Sequence, residues 1–165
     1  MTRIAINGFG RIGRNVFKVA LTKKEIEVVA INDLIDARTL AHLLKYDTVF
    51  GRYNDEVTSG DGYIAVGSKK VKVFNEAEPE KLPWRENNID VVIEATGRFA
   101  TEDDANKHLL AGARNVILSA PAKEGNVPTV VLGVNNEDSK KGHIISNASC
   151  TTNCITPIDS KHHRG

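Results

Sequence analysis

The stretch RIAINGFGRIGRNVFKVAL, residues 3–21, constrains the fold more than any other part of the sequence. A short apolar run leads into three closely spaced glycines, Gly8, Gly10 and Gly13, and an apolar pattern with helical spacing follows them. A chain needs glycines at such a point when a strand turns sharply into a helix and the backbone must come close to another group. The stretch therefore predicts a buried strand, a tight turn and a helix in immediate succession.

The same alternation of strand-like and helical patterns continues along the chain. Continuous apolar strands separated by helices are typical of a parallel sheet covered on both faces, so we predict an α/β fold of the Rossmann type, with a doubly wound, mostly parallel sheet. Short alternating runs between Gly and Asp turns predict an antiparallel excursion over 48–84. The predicted strands of the main sheet are 3–7, 27–33, 89–97, 114–121, 129–135 and 143–149, and the predicted helices are 11–21, 36–47 and 101–113.

The first two helices carry specific predictions about individual side chains. The spacing of Ile12, Val16, Val19 and Ala20 places them on one stripe of the first helix, which we expect to face the core. Asp36 precedes the second helix, and its carboxylate is expected to cap the first turn of that helix.

Polar and small residues follow the predicted strands at the points where the strands end. In open α/β sheets, ligands bind beyond the carboxyl ends of the strands, where the connections leave a crevice. We therefore expect a binding site at this edge of the sheet. The residues concerned are Asn7, Asn32, Asp33, Thr96, Gly97, Ser119 and Ser149.

The composition argues against several classes of partner. The 22 Lys and Arg residues nearly balance the 21 Asp and Glu residues, which leaves a net charge of +1. Such a balance provides no general field for nucleic acid or an anionic membrane, so neither is an expected partner. We expect neither a membrane span nor a secretory leader, because no apolar run has the length or setting of either. Two cysteines do not make a disulfide framework, so a reducing, cytoplasmic setting is expected.

The glycines of the turn fit the pattern G-x-G-x-x-G, between a predicted strand and a predicted helix. An acidic residue, Asp33, lies 20 positions beyond Gly13, at the end of the next predicted strand. In a dinucleotide-binding turn of this kind, Gly8 allows the sharp bend and Gly10 lets the backbone approach a diphosphate. Gly13 then allows close packing of the helix against the strand. The context indicates dinucleotide binding more strongly than the glycines alone.

The helix after the turn offers further binding groups. Backbone amides near Arg11 and Ile12 are unpaired at the helix N-terminus, where the helix dipole also favours a phosphate. Asp33 can accept both hydroxyls of an adenosine ribose and repels a 2′-phosphate, so NAD is the expected cofactor in preference to NADP. A purely structural glycine turn, or a site for a mononucleotide or adenosylmethionine, stays open on these residues alone.

Both cysteines of the chain lie in SNASCTTNC, residues 146–154, after a predicted strand. If a helix begins near Ser149, Cys150 lies in its first turn, where unpaired amides and the helix dipole stabilise a thiolate. Ser149 and Thr151 can bind an oxyanion at the same helix start, whereas Cys154 lies one turn further on and is less activated. Cys150 is thus a candidate nucleophile. Core burial of both cysteines, a redox pair and a metal site are the alternatives, although no metal is expected because two sulfurs lack further ligands.

A thiolate nucleophile needs a base that takes up and returns protons. Two of the five histidines fall in predicted helices, one begins a predicted strand at the end opposite the cysteine motif, and two lie near the C-terminus. None is placed as a partner of the thiolate, so we expect the base to lie outside this chain. In that order the histidines are His42, His108, His143, His162 and His163.

Several short motifs together resemble one enzyme family. They are INGFGRIGR near the start, IND followed by LLKYDTVFGR, then EATGRF, LSAPAK and above all ASCTTNC. From Arg3 to about Pro157, the chain is similar to the NAD-binding N-terminal half of phosphorylating glyceraldehyde-3-phosphate dehydrogenases. The resemblance implies oxidation of glyceraldehyde 3-phosphate in glycolysis, with NAD and inorganic phosphate, to 1,3-bisphosphoglycerate. Full-length members of the family are homotetramers.

The resemblance also implies a role for each matched residue. Cys150 attacks the aldehyde carbon to give a hemithioacetal, and hydride transfer to the nicotinamide leaves a thioester. Phosphate attacks that thioester with help from Ser149 and Thr151. Leu34 sits where relatives that use NADP tend to carry a smaller polar residue. The residues implied to border NAD are Gly8, Phe9, Gly10, Arg11, Ile12 and Gly13 at the glycine turn, Asn32 and Asp33 at the adenosine, Thr96, Gly97 and Phe99 on the adenine side, and Ser119 with Ala120 further along the cofactor.

Two regions follow from the resemblance: an NAD-binding domain at 1–149, and at 150–165 the start of the catalytic-domain helix, of which 158–165 depart from the family pattern. In the family, a second half supplies the histidine base and the groups that bind substrate phosphate. We therefore expect the chain alone to bind NAD weakly, to be nearly inactive and, through an unpacked apolar surface, to self-associate. Erythrose-4-phosphate dehydrogenase and a non-catalytic nucleotide-binding module are the alternative functions.

Overall fold

Strands and helices alternate along residues 1–162, the part of the chain that this computed structural model describes. The strands are β1 (Thr2–Asn7), β2 (Ile26–Asn32), β3 (Tyr46–Asp47), β4 (Gly51–Arg52), β5 (Val57–Gly60), β6 (Tyr63–Val66), β7 (Lys69–Phe74), β8 (Val91–Glu94), β9 (Asn115–Leu118) and β10 (Ile144–Ser146). The α-helices are α1 (Arg11–Leu21), α2 (Ala37–Lys45), α3 (Glu102–Leu110) and α4 (Cys150–His162).

Eight of the described strands form one sheet, in the order β10-β9-β8-β1-β2-β7-β6-β5. Neighbours from β10 to β7 are parallel, and β6 and β5 extend the sheet as antiparallel strands. The chain builds outward from β1 toward β2 first and toward β8 later, so the strand order reverses at β1. At such a switch point the connections leave in opposite directions and open a crevice. The predicted α/β class with a Rossmann-type, mostly parallel sheet is confirmed.

The antiparallel excursion predicted over 48–84 is more closely tied to the main sheet than expected. β5, β6 and β7 form an antiparallel meander, but β7 pairs in parallel with β2 and so belongs to the main sheet. Only β3 and β4 form a separate hairpin among the described strands.

The prediction of a strand at 129–135 is wrong. Thr129 makes one parallel bridge to Ser146, and the chain then turns at Gly133, where φ is +82°, before a 3-10 helix. The apolar residues of this segment do not form a buried strand, and Leu132 is 80% exposed. A glycine with positive φ ends an extended segment, since the chain direction changes there.

Helix α1 matches its predicted bounds, but its buried side differs from the predicted stripe. Gly13, Phe17 and Ala20 face the sheet and are buried, whereas Ile12 and Val19 are 48% and 59% exposed. The small residue at Gly13 lets α1 approach β1 closely, and the Phe17 ring fills the adjoining space. Periodicity alone places the apolar stripe of a helix without showing which part of it meets the core.

Helices cover the two faces of the sheet unequally. α1 and α2 pack on one face of β1, β2, β6 and β7, around large buried side chains such as Ile6, Phe17 and Leu44. The segment containing Trp84 and Ile89 covers the opposite face near β1 and β8, and α3 covers β9 and β10 on that same side.

One face over β8 and β9 has no helix above it among the described residues, so the expected cover on both faces is incomplete. Val91, Ile93 and Ile117 are half-buried there and, with Val16 and Val19 of α1, line an apolar groove of about 670 Å³. We call this feature the open groove. Parallel sheets are normally covered on both faces, which makes this the least satisfied apolar surface of the fold.

Polar caps fix the starts of α2 and α3. The carboxylate of Asp36 accepts from the amide of Thr39 at 3.0 Å, as predicted from the sequence. The hydroxyl of Thr101 accepts from the amide of Asp104 at 3.1 Å. These bonds satisfy amides that have no partner within the helix.

Helix α4 runs from the cysteine motif past Pro157 to His162. Part of the 158–165 segment, which the sequence sets apart from the family pattern, is therefore helical. His163 lies outside the described residues. Across residues 1–162, no helix combines the length and the apolar character needed to cross a membrane.

Candidate functional site

The glycine turn between β1 and α1 has the geometry that three glycines permit. Gly8 has φ +91°, and a Cβ there would lie 2.7 Å from the amide nitrogen of Thr96. A Cβ at Gly13 would lie 2.0 Å from the carbonyl oxygen of Gly8. By contrast, nothing lies within 4 Å of a Cβ built at Gly10. The fold itself therefore requires Gly8 and Gly13, while the space beside Gly10 is left for something else.

Helix α1 begins directly at this space. Its N-cap residue is Gly10, which has no side chain to accept hydrogen bonds from the first amides of the helix. The first amides of a helix have no partners within the helix, and the helix dipole makes this end positive. The side chains of Arg11 and Ile12 point to solvent, so their backbone amides are the groups presented at the turn. This end of α1 is suited to bind a phosphate group.

Asp33 lies beside the turn, at the end of β2. Its Oδ2 accepts from the amide of Phe9 at 2.7 Å, and its Oδ1 accepts from the amide of Ile35 at 3.1 Å. Each carboxylate oxygen keeps a second acceptor position. The Phe9 side chain is buried and packs edge-on against Phe17, with 5.4 Å between ring centroids, so Phe9 contributes its backbone to the site.

A cleft of about 410 Å³ opens at the carboxyl ends of β1, β2 and β8. Of the residues predicted to bind cofactor, it is lined by Gly8, Gly10, Asn32, Asp33, Thr96 and Phe99. The cleft is also lined by Asn7, which was expected at this edge of the sheet, and by Leu34, which the resemblance places near the coenzyme. Five further lining residues were not predicted from the sequence, namely Ile35, Glu76, Ala77, Ala95 and Arg98.

Arg98 is the main addition among these, because it brings a cation to a cleft that otherwise carries Asp33 and Glu76. Its guanidinium carbon lies 5.7 Å from the centroid of the Phe99 ring. A signal for Arg98 was available in the sequence, since it follows the Thr-Gly pair at the end of a strand predicted to reach the site.

Asn32 is part of the floor of the cleft. It is buried, and its side-chain amide donates to Oδ1 of Asn7 at 2.7 Å and to the carbonyl of Glu76 at 2.9 Å. Its own Oδ1 accepts from the amide of Glu76 at 2.9 Å. These bonds join the ends of β1 and β2 to the segment after β7. The structure therefore gives Asn32 a role in shaping the cleft.

Thr96 is held in a similar way at the end of β8. Its amide donates to Oε1 of Glu94 at 2.8 Å, and its hydroxyl donates to the same oxygen. The hydroxyl also accepts from the amide of Arg98 at 3.0 Å. The Thr96 hydroxyl therefore has both a donor and an acceptor contact within this turn, which fixes the end of β8 at the cleft.

The strand ends that carry predicted site residues lie side by side in the sheet. In the order β2, β1, β8, β9 and β10, they carry Asp33, the glycine turn, Thr96, Ser119 and Cys150. Three strand spacings of roughly 4.8 Å separate β1 from β10, or about 14 Å. The carboxyl ends of parallel strands share one edge, so an extended ligand can run along that edge from Asp33 toward Cys150.

Cys150 is the first residue of α4 and is exposed. The Ser149 hydroxyl accepts from the amide of Thr152 at 3.0 Å and so caps the helix, and it also lies 2.9 Å from the hydroxyl of Thr151. This agrees with a helix that begins near Ser149. Cys154 lies further along α4 and is also exposed, so neither cysteine is buried in the core of the described residues.

Ser146, Ala148 and Asn153, which lie in the cysteine motif but were not predicted as site residues, hold the start of α4 in place. The buried hydroxyl of Ser146 donates to the carbonyl of Ala120 at 2.9 Å and accepts from the amide of Ala148 at 3.1 Å. Ala148 has φ +58°, an unusual value for a residue with a side chain. The Asn153 side chain donates to the carbonyl of Asn147 at 2.7 Å. Together these contacts fix the direction in which Cys150 leaves the sheet.

The described histidine side chains lie away from this cysteine. His42 packs against the ring of Tyr46, with 4.9 Å between centroids, and His143 stands before β10, at the opposite end of that strand. His108 is fully buried on α3 and bonded to Glu94 and Trp84. None of these three is placed to exchange a proton with the thiol.

Comparison with known proteins shows which family the chain belongs to. A family model described as "Glyceraldehyde 3-phosphate dehydrogenase, NAD binding domain" matches residues 2–102. The chain belongs to the glyceraldehyde-3-phosphate dehydrogenase family. The matched region contains the glycine turn, Asp33 and Thr96, and the predicted cofactor, NAD, is confirmed by the family.

Similarity to glyceraldehyde-3-phosphate dehydrogenases extends beyond the matched domain. The chain is 56% identical over 160 residues to glyceraldehyde-3-phosphate dehydrogenase 1 of Bacillus cereus, which covers 96% of the chain and 48% of the relative. It is 55% identical over 163 residues to the glyceraldehyde-3-phosphate dehydrogenase of Geobacillus stearothermophilus, with 98% and 48% covered. For that of Mycoplasma pneumoniae the identity is 54% over 157 residues, with 94% and 47% covered. The chain thus spans about half the length of these relatives.

Proposed function

We propose that this chain is the coenzyme half of an enzyme that converts glyceraldehyde 3-phosphate, with NAD and inorganic phosphate, to 1,3-bisphosphoglycerate. The observation that carries the proposal is the order of groups along one sheet edge. Asp33, the glycine turn, Thr96, Ser119 and Cys150 follow one another across five adjacent parallel strands. A dinucleotide with its adenosine at Asp33 has its other end on the side of Cys150.

The residues present fit NAD. The uncapped N-terminus of α1 and the open space at Gly10 suit a pyrophosphate, because amides and the helix dipole attract it and no side chain stands in the way. Asp33 has one acceptor position left on each carboxylate oxygen for the two ribose hydroxyls. A 2′-phosphate brought to the same carboxylate is repelled, which favours NAD over NADP.

The chemical step assigned to this chain belongs to Cys150. Its sulfur is exposed at the start of α4, beside the backbone amides of the helix start, and we assign to it the attack on the aldehyde carbon. When bound, NAD supplies the acceptor for the hydride that leaves this carbon. The carbon then remains attached to the Cys150 sulfur as a thioester, and phosphate displaces the sulfur. Ser149 and Thr151 offer hydroxyls at the helix start to orient that phosphate.

The remaining catalytic groups are assigned to the rest of the whole protein. The described His42, His108 and His143 are engaged or distant, so the base that assists the thiolate is expected from elsewhere. From the resemblance to the family, we also propose that the whole protein is a homotetramer in the cytoplasm. The 165-residue chain on its own is expected to bind NAD and to turn over the aldehyde very slowly.

Two measurements on the same purified chain test the proposal. Isothermal titration with NAD is expected to show binding at one site, and a Cys150→Ser variant is expected to bind equally well because the sulfur is not required for adenosine or pyrophosphate contacts. NADH absorbance with NAD, phosphate and glyceraldehyde 3-phosphate is expected to rise very slowly with the chain alone, and to rise rapidly only when a second half of the family type is present with Cys150 intact. Failure of the chain to bind NAD would contradict the coenzyme site. Full turnover by the Cys150→Ser variant joined to that second half would contradict the assigned nucleophile.

A further inference from the structure

A group of buried polar side chains lies beneath the cleft without lining it. Trp84 and His108 are fully buried, and Glu94 is 3% exposed. None of the three borders the cleft itself. They come from different parts of the fold, namely the segment before β8, helix α3 and the last residue of β8. Buried polar groups in such an arrangement need a full set of hydrogen bonds, and their pattern shows what they hold in place.

Glu94 sits at the centre of this group. Its Oε1 accepts from the amide of Thr96 at 2.8 Å and from the hydroxyl of Thr96, and its Oε2 accepts from the side-chain amide of Asn7 at 2.6 Å. Nε2 of His108 lies 3.0 Å from the same Oε2. Four donors thus converge on two carboxylate oxygens, which is the arrangement that satisfies an ionised carboxylate away from water.

The contact with Trp84 decides where His108 carries its proton. The indole N–H of Trp84 can only donate, and it lies 3.0 Å from Nδ1 of His108. Nδ1 therefore accepts and carries no proton. The ring is then neutral, with its proton on Nε2, and donates that proton to Glu94. Trp84 thus sets the tautomer of His108, and His108 in turn holds the carboxylate.

Glu94 connects Trp84 and His108 to both sides of the cleft through its hydrogen bonds. On the β8 side it fixes Thr96, whose hydroxyl in turn accepts from the amide of Arg98. On the β1 side it fixes Asn7, whose Oδ1 accepts from Asn32 at 2.7 Å. The groups at the ends of these two branches line the cleft, whereas Glu94 does not.

We propose that Trp84, His108 and Glu94 form a positioning relay that sets the geometry of the coenzyme cleft before NAD binds. The inference rests on the coenzyme placement proposed above. The relay makes no contact with the ligand. It lowers the cost of binding, because the Thr96 turn and the asparagines of the floor are already ordered. Loss of the His108 donor leaves one carboxylate oxygen short of a bond and loosens both branches.

Paired substitutions at His108 test the relay. In His108→Gln, the side-chain carbonyl can accept from Trp84 and the amide can donate to Glu94, so the pattern of bonds is kept. In His108→Leu, both bonds are lost while an apolar residue of similar size fills the space. His42→Leu serves as the control, because His42 is exposed and packs against Tyr46 away from the cleft. Each variant of the 165-residue chain is titrated with NAD after circular dichroism has shown that it is folded.

We expect NAD affinity to fall about tenfold in His108→Leu, and to stay within about threefold of the unsubstituted chain in His108→Gln. His42→Leu is expected to bind as the unsubstituted chain does. Equal losses in the two His108 variants would overturn the relay, because a residue needed only for packing responds to the change in shape and not to the hydrogen bonds. Unchanged affinity in His108→Leu would overturn it as well.

A second measurement keeps the proposal testable if His108→Leu does not fold. Nitrogen-15 NMR of the unsubstituted chain is expected to show a proton on Nε2 of His108 and none on Nδ1, with and without NAD. In Trp84→Phe, which keeps an aromatic ring but lacks the indole N–H, we expect the Thr96 amide resonance to shift and NAD affinity to fall. A proton on Nδ1, or an unmoved Thr96 resonance in Trp84→Phe, would overturn the relay.

The same titrations separate the relay from the proposed function. If the unsubstituted chain does not bind NAD, the coenzyme site fails and the relay fails with it. If the unsubstituted chain binds NAD and Asp33→Asn weakens that binding while the His108 and Trp84 variants do not, the relay alone fails.

Discussion

The amide of Phe9 donates to Oδ2 of Asp33 across 2.7 Å, so one carboxylate both fixes the glycine turn and faces the cleft. The other oxygen of Asp33 accepts from the amide of Ile35 at 3.1 Å. Two backbone segments, after β1 and after β2, therefore depend on a single ionised side chain. Any change at Asp33 is expected to affect the shape of the turn as well as the contact with a ribose.

Asp33→Asn is expected to weaken NAD binding by about tenfold and to reduce the preference for NAD over NADP. An asparagine places an N–H₂ group where one of the two amides needs an acceptor, and it removes the charge that repels a 2′-phosphate. Titration of both coenzymes measures the ratio. Asp36→Asn is the matched control, since Asp36 caps α2 and asparagine caps equally well. An unchanged ratio in Asp33→Asn would exclude Asp33 as the group that selects the coenzyme.

Alanine substitution is expected to lower the stability of the fold at Gly13 and the affinity for NAD at Gly10. Gly13→Ala places a Cβ 2.0 Å from the carbonyl oxygen of Gly8, so α1 must move, and the free energy of unfolding is expected to fall by about 3 kcal/mol or more. Gly10→Ala meets nothing within 4 Å, so stability is expected to change by less than about 1 kcal/mol. NAD affinity is nevertheless expected to fall in Gly10→Ala, because the methyl group occupies space beside the helix N-terminus.

Urea unfolding and NAD titration of the two alanine variants separate these effects. A stable Gly13→Ala chain would show that close packing of helix and strand is not required. Normal NAD binding by Gly10→Ala would show that the open space at the turn is not the pyrophosphate site.

The sequence predicted those parts of the site that depend on local rules. The glycine turn, the bounds of α1 and the Asp36 cap each follow from a few neighbouring residues. The start of α4 at the cysteine motif was predicted for the same reason, since Ser149 is a favourable N-cap. These features need no knowledge of how distant segments pack.

The relay could not be predicted, because its members meet only through tertiary packing. Trp84 lies in a loop, His108 was predicted only to lie in a helix, and Glu94 is the one charged residue of β8, at its last position. The same limitation explains the error at 129–135, where an apolar run suggests a strand although Leu132 is exposed. The spacing of apolar residues predicts which side of a helix or strand is apolar, whereas tertiary packing decides whether that side is buried.

The two cysteines are expected to differ in reactivity although both are exposed. Cys150 is at the first position of α4, whereas Cys154 lies further along the helix, away from its positive end. With iodoacetamide at neutral pH, Cys154→Ser, which retains Cys150, is expected to react roughly three to five times faster than Cys150→Ser. Adding Ser149→Ala to the Cys154→Ser variant is expected to narrow the difference, because the helix start loses its cap. Equal rates in the two serine variants would remove the argument that the helix start activates Cys150.

The hydrogen bonds that Asp104 accepts in the first turn of α3 predict that the stability of the fold depends on pH. The hydrogen bond from the Thr101 hydroxyl, followed by that from Lys107, lowers the pKa of Asp104 from its usual value. A carboxylate with a lowered pKa stabilises the fold above its unfolded-state pKa, and this contribution is lost as the pH falls through the folded-state pKa. Asp104→Asn is therefore expected to be less stable than the unsubstituted chain near neutral pH, with the difference shrinking below about pH 4.

Urea unfolding across this pH range measures the Asp104 effect. Asp103→Asn is the matched control, because Asp103 lies in the same first turn and keeps the same relation to the helix dipole. If the free energy of unfolding differs between Asp104→Asn and the unsubstituted chain by an amount that does not change with pH, the effect does not come from the ionised carboxylate of Asp104.

The open groove is expected to make the 165-residue chain self-associate. Val16 and Val19 of α1 and the half-buried Val91, Ile93 and Ile117 of the sheet form a contiguous apolar surface without a helix above it among residues 1–162. Sedimentation velocity is expected to show association that rises with concentration and that Val19→Glu weakens, since a charge at the groove edge opposes burial. Leu132→Glu, also at an exposed apolar residue but away from the groove, is expected to leave association unchanged. A chain that stays monomeric, or one that responds equally to both substitutions, would show that the groove does not drive contact between copies.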